Sequence, residues 1–206
     1  MIKGTPELIA ERREEIINAC EKLYQTMSFR EITLKEIGNE VPFSRPTIYN
    51  YFQTKEEIFL ALFRREYELW IIDLEAIYNG NDRLNKKELA SKIARSLADR
   101  PQLLKLIAMN IYDMEANSRL EQLIEFKQTY HKLIETFEKI FDKYLSGMTK
   151  EQTKKLLYMF FPFIFGVYPM TNATEKQNEA MKAAGIDFDT VNEYELIYGY
   201  LLKLFN

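Results

Sequence analysis

Two helix starts about ten residues apart constrain this chain more than anything else in it. Ser44 is a good N-cap residue, and Pro46 is tolerated only in the first turn of a helix, so a helix begins at Ser44. Thr54 and Glu57 have capping-box spacing ahead of an amphipathic run, so another helix begins there. The piece between is only about two turns long. Ile48 and Phe52, four apart, face a core, while Arg45, Thr47, Tyr49 and Asn50 are left pointing outward. So short a helix contributes little apolar surface to folding and offers hydrogen-bonding side chains to something outside. An α-helix of this size fits the major groove of DNA.

A matching helix lies just upstream. Thr33 and Glu36 form another capping-box pair, followed by apolar Leu34, Ile37 and Val41. Two short helices joined through Val41-Pro42-Phe43 read as a helix-turn-helix. The runs Ile32-Thr33-Leu34-Lys35-Glu36-Ile37, Ser44-Arg45-Pro46-Thr47-Ile48-Tyr49-Asn50-Tyr51-Phe52 and Lys55-Glu56-Glu57-Ile58 together resemble the N-terminal signature of TetR-family transcriptional repressors. The resemblance extends from about Ile16 to Phe59. Its small residue before the turn is Gly38, and Ser28 stands where the family usually has Gly ahead of an aromatic, here Phe29. One departure matters. The family usually has Gly in the middle of the turn, where this chain has Pro42, and Pro cannot adopt the positive φ that Gly permits. The turn must therefore close another way, for instance with the preceding helix ending nearer Asn39.

Composition supports an all-α chain. Gly (7) and Pro (6) are scarce, 47% of residues are hydrophobic, and no segment alternates at period two. The single cysteine, Cys20, excludes an internal disulfide framework and sits on the apolar face of the first helix as a small buried hydrophobe. The opening residues lead into a charged helix with no signal peptide, so a cytoplasmic location is expected. The net charge of −3 does not advertise nucleic-acid binding. A local patch suffices for a regulator, and between Phe43 and Lys55 there are two basic residues and no acidic ones.

Taken in order, Thr5-Pro6 opens a first helix expected to run to about Thr26, with Arg12, Arg13 and Lys22 on its charged face. The helix from Thr54 carries a long apolar stripe, from Ile58 through Trp70 to Ile77, and stops near Asn79-Gly80-Asn81. The pairs Asn85/Glu88, Ser118/Glu121, Thr149/Gln152 and Thr190/Glu193 mark further starts, and Pro101 opens another. The expected helices are 85–99, 101–114, 118–146, 149–168 and 190–205, with a short one from Thr174 to Ala184 inside an elaborated connection, 169–189. This predicts about nine helices: a helix-turn-helix domain over 1–53 and a helical ligand-binding and dimerisation domain over 54–206, bridged by the helix from Thr54. The run 156–170 is apolar all round, too short for a membrane span and interrupted by Pro162, which should kink it. With Leu196, Ile197, Tyr200, Leu201, Leu204 and Phe205 it predicts a subunit interface. The resemblance implies the same, since TetR-like proteins dimerise through their last two long helices.

No catalytic or metal site emerges. The only histidine, His131, lies mid-helix; no Cys, His or carboxylate cluster has metal spacing, and no phosphate loop or nucleophile elbow is present. No cofactor is expected. The second half is rich in aromatics and methionines, which suits a concave apolar site. The resemblance implies an apolar or aromatic effector there, with Trp70, Met109, Tyr112, Phe126, Tyr130, His131 and Phe163 as candidate contacts. On DNA, it implies a homodimer whose Ser44–Tyr51 helices enter successive major grooves of a near-palindromic operator. Arg45, Thr47 and Asn50 are then candidates for base edges, and Thr33, Tyr49, Tyr51 and Lys55 for phosphates, with Lys35 and Ser44 completing the set. Two readings from other classes stand beside this one: a helical enzyme with His131 as its titrating group, and a protein-binding helical scaffold.

Overall fold

A computed structural model describes residues 5–109, 111–186 and 191–206 of the chain. Among these residues there are eleven helices and no strand. They fall into two compact units. The first takes in the described residues up to Glu66 together with those from Ile111 to Tyr130, and the second holds Tyr67–Met109 and the described residues from His131 onward. Two long helices, α4 (Lys55–Asn79) and α8 (Leu120–Tyr144), each contribute to both.

In the first unit, α1 (Pro6–Tyr24) starts where its cap predicts, with the Thr5 hydroxyl accepting from the Leu8 amide. It buries Ile16, Ile17, Ala19 and Cys20. α2 (Leu34–Asn39) is capped by Thr33, whose hydroxyl accepts from the Lys35 and Glu36 amides. It stops at Asn39, as Pro42 demands, and no non-glycine residue described has positive φ. α3 (Arg45–Ile48) is a single α-turn, shorter than expected. The chain then tightens into i→i−3 bonds, Asn50 N–H to the Thr47 carbonyl and Tyr51 N–H to the Ile48 carbonyl. Tyr24, Phe29 and Phe59 interlock edge-to-face with centroids 5.1 and 4.8 Å apart and wedge α1 and the 28–31 turn against α4.

The expected helix 101–114 is two helices. α6 (Pro101–Ile107) buries Leu103, Leu104, Leu106 and Ile107 in the second unit, whereas α7 (Ile111–Ala116) buries Met114 in the first. Ser118 does not cap α8 either, because its hydroxyl donates to the Met114 carbonyl at the end of α7. In the second unit, α5 (Lys86–Ala98) carries the predicted Asn85/Glu88 capping box and α9 (Lys150–Thr171) the Thr149/Gln152 one. α9 continues through both Pro162 and Pro169. α10 (Glu175–Ala183) matches the short helix expected in the connection. α11 (Glu193–Leu204) is capped by Asn192 with Glu195, and the start predicted at Thr190 lies outside the described residues. α11 lies along α5 and against α9, and α6 packs on both α5 and α9. The core is a ring cluster in which Phe137 meets Trp70, Phe141 and Phe160 at 5.2–5.7 Å. No single helix among the described residues is long and apolar enough to cross a membrane.

Candidate nucleic-acid interface

Close approach of α2 and α3 sets the shape of this surface. A Cβ on Gly38 would stand 3.5 Å from the Arg45 Cβ and 3.6 Å from the Ile48 Cδ1, so the two helices touch at that glycine. Beneath α3, Ile48 and Phe52 are fully buried, as four-residue spacing requires. Above it, Arg45, Tyr49 and Asn50 are exposed and Thr47 is half-buried. The Arg45 guanidinium reaches the Tyr49 hydroxyl at 3.4 Å, and the Ser44 and Thr47 hydroxyls share a hydrogen bond of 3.0 Å. Thr33 and Lys35 are also exposed, at the start of α2. The structure therefore presents Thr33, Lys35, Ser44, Arg45, Thr47, Tyr49 and Asn50 at the solvent-facing surface of the helix-turn-helix. Apart from Glu36, which bonds the Thr33 hydroxyl, no carboxylate contacts these side chains among the bonds described.

Two of the nine candidates stand elsewhere. Tyr51 is 2% exposed, so its ring is interior packing and not a phosphate contact. The Lys55 ammonium donates to the Phe29 and Ile32 carbonyls at 2.7 and 3.0 Å and lies 4.2 Å over the Phe29 ring. It ties the α1–α2 connection to α4. Of the basic residues on α1, Lys22 pairs with Glu40 and Arg13 with Gln122, while Arg12 and Arg13 stack over Phe43 and Phe52.

The base of α3 is held by a residue that sequence spacing does not reveal. Glu57 has no solvent exposure, yet its carboxylate accepts four hydrogen bonds: from the Gln53 amide at 2.7 Å and, at 2.7–3.0 Å, from the amide, Nε and Nη2 of Arg119. The same Nη2 donates to the Tyr51 carbonyl at 3.1 Å. Burial by itself would raise the Glu57 carboxyl. The hydrogen bonds from Arg119 and Gln53, with the guanidinium charge, outweigh it and hold the carboxyl below its ordinary range. Beside it, the Thr54 hydroxyl donates to the Asn117 carbonyl at 2.9 Å. The turn between α7 and α8 thus clasps the segment where α3 ends and α4 begins. Glu57 reads as a capping residue in sequence. Its partner is 62 positions away and carries no local signal.

The seven residues predicted to hold an effector fall in both units. Tyr112, Phe126 and Tyr130 belong to the first unit, and Trp70, Met109, His131 and Phe163 to the second. Tyr112 is 81% exposed and the His131 side chain 72%, so neither lines an interior site. Trp70 is fully buried and donates its indole N–H to the Ser96 hydroxyl at 3.0 Å, and Phe163 stacks flat on Tyr200 at 3.7 Å. The second unit also has a surface depression of about 560 Å³. Its walls combine polar and charged Asp73, Ser91, Lys92, Arg95 and Arg100 with apolar Ala76 and Ile77, and hold none of the seven. Among the described residues no group of three or more His, Cys, Asp or Glu side chains gathers as for a metal.

The sequence profile of bacterial regulatory proteins of the tetR family matches residues 16–62, and that of the tetracyclin repressor-like C-terminal domain matches residues 64–195. The HTH-type transcriptional regulator HbdR of Aromatoleum sp. (strain CIB) is 40% identical over 58 residues, 28% of this chain and 25% of that protein. Two solved structures share the fold over nearly their whole lengths. The fatty acid degradation regulator FadR of Bacillus halodurans aligns at a TM-score of 0.59 and 15% identity, over 98% of this chain and 97% of that one. A TetR-family transcriptional regulator from Mesorhizobium loti aligns at 0.59 and 17%, over 96% of each. At such identities the likeness is one of fold.

Proposed function

The chain belongs to the TetR family of DNA-binding transcriptional regulators, a family of transcription factors and not of enzymes, and on that premise we propose that it is a ligand-responsive repressor acting as a homodimer in the cytoplasm. The two α3 segments enter successive major grooves of a near-palindromic operator, about 34–36 Å apart. Arg45, Thr47 and Asn50 read base edges; Thr33, Lys35, Ser44 and Tyr49 contact phosphates. The observation that carries this reading is the outward row Arg45, Tyr49, Asn50 standing over fully buried Ile48 and Phe52.

The dimer is formed by α9 and α11. Support comes from α9, where Tyr158 is 83% exposed and Met159, Pro162, Phe165 and Met170 lie exposed at helical spacing. Gly166, in the same row, has nothing within 4 Å of where a Cβ would stand. The effector is an apolar or aromatic small molecule held among the helices of the second unit. Its interior, rich in Phe around Trp70, suits such a ligand. Effector binding shifts the dimer between DNA-competent and DNA-incompetent populations, with α4 and α8, continuous between the two units, as the route.

Fluorescence anisotropy on a selected operator tests the DNA reading. Arg45→Ala should cost about 1–3 kcal/mol and relax preference at one base position. A loss equal on all sequences would remove Arg45 from base readout. An operator affinity unmoved by saturating effector would remove the coupling.

A further inference from the structure

The connection between α9 and α11 is built with more care than its own subunit needs. α10 starts with a complete capping box: the Thr174 hydroxyl accepts from the Gln177 amide at 3.2 Å and the Gln177 side chain accepts from the Thr174 amide at 2.8 Å. It ends in a Schellman motif. Gly185 takes φ +69°, its amide donates to the Lys182 carbonyl, and the Ile186 amide donates to the Met181 carbonyl. The foot of the excursion is pinned as well, because the Glu193 carboxylate accepts from the Thr171 hydroxyl and the Asn172 amide at 3.0 and 2.7 Å.

Yet α10 buries no residue. From Thr174 to Ile186 every side chain is exposed except the half-buried Met181, and Val191 beyond is exposed too. Isolated helices shorter than about 12–15 residues are marginal in water, because helices in proteins owe most of their stability to a packed face. A helix of nine residues, capped at both ends and burying no side chain, is therefore a preformed surface open to a partner. We propose that α10 is a dimer arm that packs on a second copy of this chain, extending the contact made by α9 and α11. This rests on the homodimer reading.

Two observations choose that occupant. The exposed apolar row of α9 runs through Phe165 to Met170, 64% exposed, immediately before α10 turns off at 85°, so the arm projects from the end of that row. The arm's charges, Glu175, Lys176, Glu179 and Lys182, cancel, which suits another copy of the chain better than phosphates or an anionic membrane surface.

The test is sedimentation equilibrium of the full chain beside a variant in which residues 174–191 are replaced by a short Gly/Ser link, leaving the Glu193 foot intact. The dimer dissociation constant is expected to rise by tenfold or more, roughly the loss of one good interface anchor, with far-UV circular dichroism otherwise native. Should that variant misfold, Met181→Asp and Ala180→Arg take its place, with the same rise expected. Hydrogen exchange of α10 amides in the unaltered chain should slow as concentration crosses the dimerisation range. An unchanged dissociation constant, with α10 exchanging freely at all concentrations, overturns the arm and leaves the homodimer standing. A chain that stays monomeric throughout overturns both.

Discussion

At the scale of single residues, the structure separates side chains that face out from side chains that are spoken for. Lys55 is a phosphate candidate by position, at the opening of a long helix. Its bonds to two carbonyls and its place over Phe29 make it a tie between elements. Lys55→Met should therefore lower unfolding stability by about 1–2 kcal/mol in urea melts while leaving the salt slope of DNA binding unchanged. A slope reduced by about one unit, with stability intact, would return Lys55 to the DNA. Gly38 gives a second contrast. An added Cβ would meet Arg45 and Ile48 at ordinary contact distance, so Gly38→Ala should be neutral or stabilising by up to about 1 kcal/mol. Gly38→Leu should push α3 off its seat and abolish operator binding. Cys20 is fully buried and burial pushes its thiol well above the ordinary range, so thiol reagents should modify it only at the rate of unfolding.

At the scale of elements, the clasp of Glu57 by Arg119 decides how firmly α3 is seated. Arg119→Ala strands most of a buried carboxylate. The cost should be about 2–3 kcal/mol, below the full figure for a buried pair because the guanidinium is 38% exposed. The pH dependence has a definite sign. The folded-state pKa of Glu57 is lowered from an ordinary value of 4.5, so its contribution is complete above that value. The contribution is lost as pH falls below about 4.5 through the folded pKa. Denaturation midpoints measured from pH 7 downward should therefore drop less steeply in Glu57→Gln than in the unaltered chain, from a lower starting stability. Parallel curves would mean that the carboxyl is not the group whose protonation loosens the clasp.

At the scale of the whole molecule, reading an operator requires two α3 segments at fixed spacing, and the proposed dimer face supplies the second. Phe165→Glu places a charge in the exposed row of α9 and should shift the sedimentation profile toward monomer. Operator affinity should fall about 10²-fold or more as avidity is lost, while weak binding to random DNA stays nearly unchanged. A monomer that still binds the operator at full strength would show that one α3 suffices.

The sequence by itself determined the local grammar of the chain. Thr5, Thr33, Asn85, Thr149 and Thr174 each announce a helix that begins within a residue of its cap, because capping bonds close over two or three residues and need nothing distant. The same locality made the outward row of α3 legible from Ile48 and Phe52. Only the tertiary structure decided what was already occupied. Tyr51 is interior, and Lys55 is bound to the turn at Phe29. It also broke 101–114 into two helices, sent the second to the first unit, and set Arg119 against Glu57. Each of these depends on a partner tens of residues away, and neither helical periodicity nor capping chemistry names a partner outside its own helix.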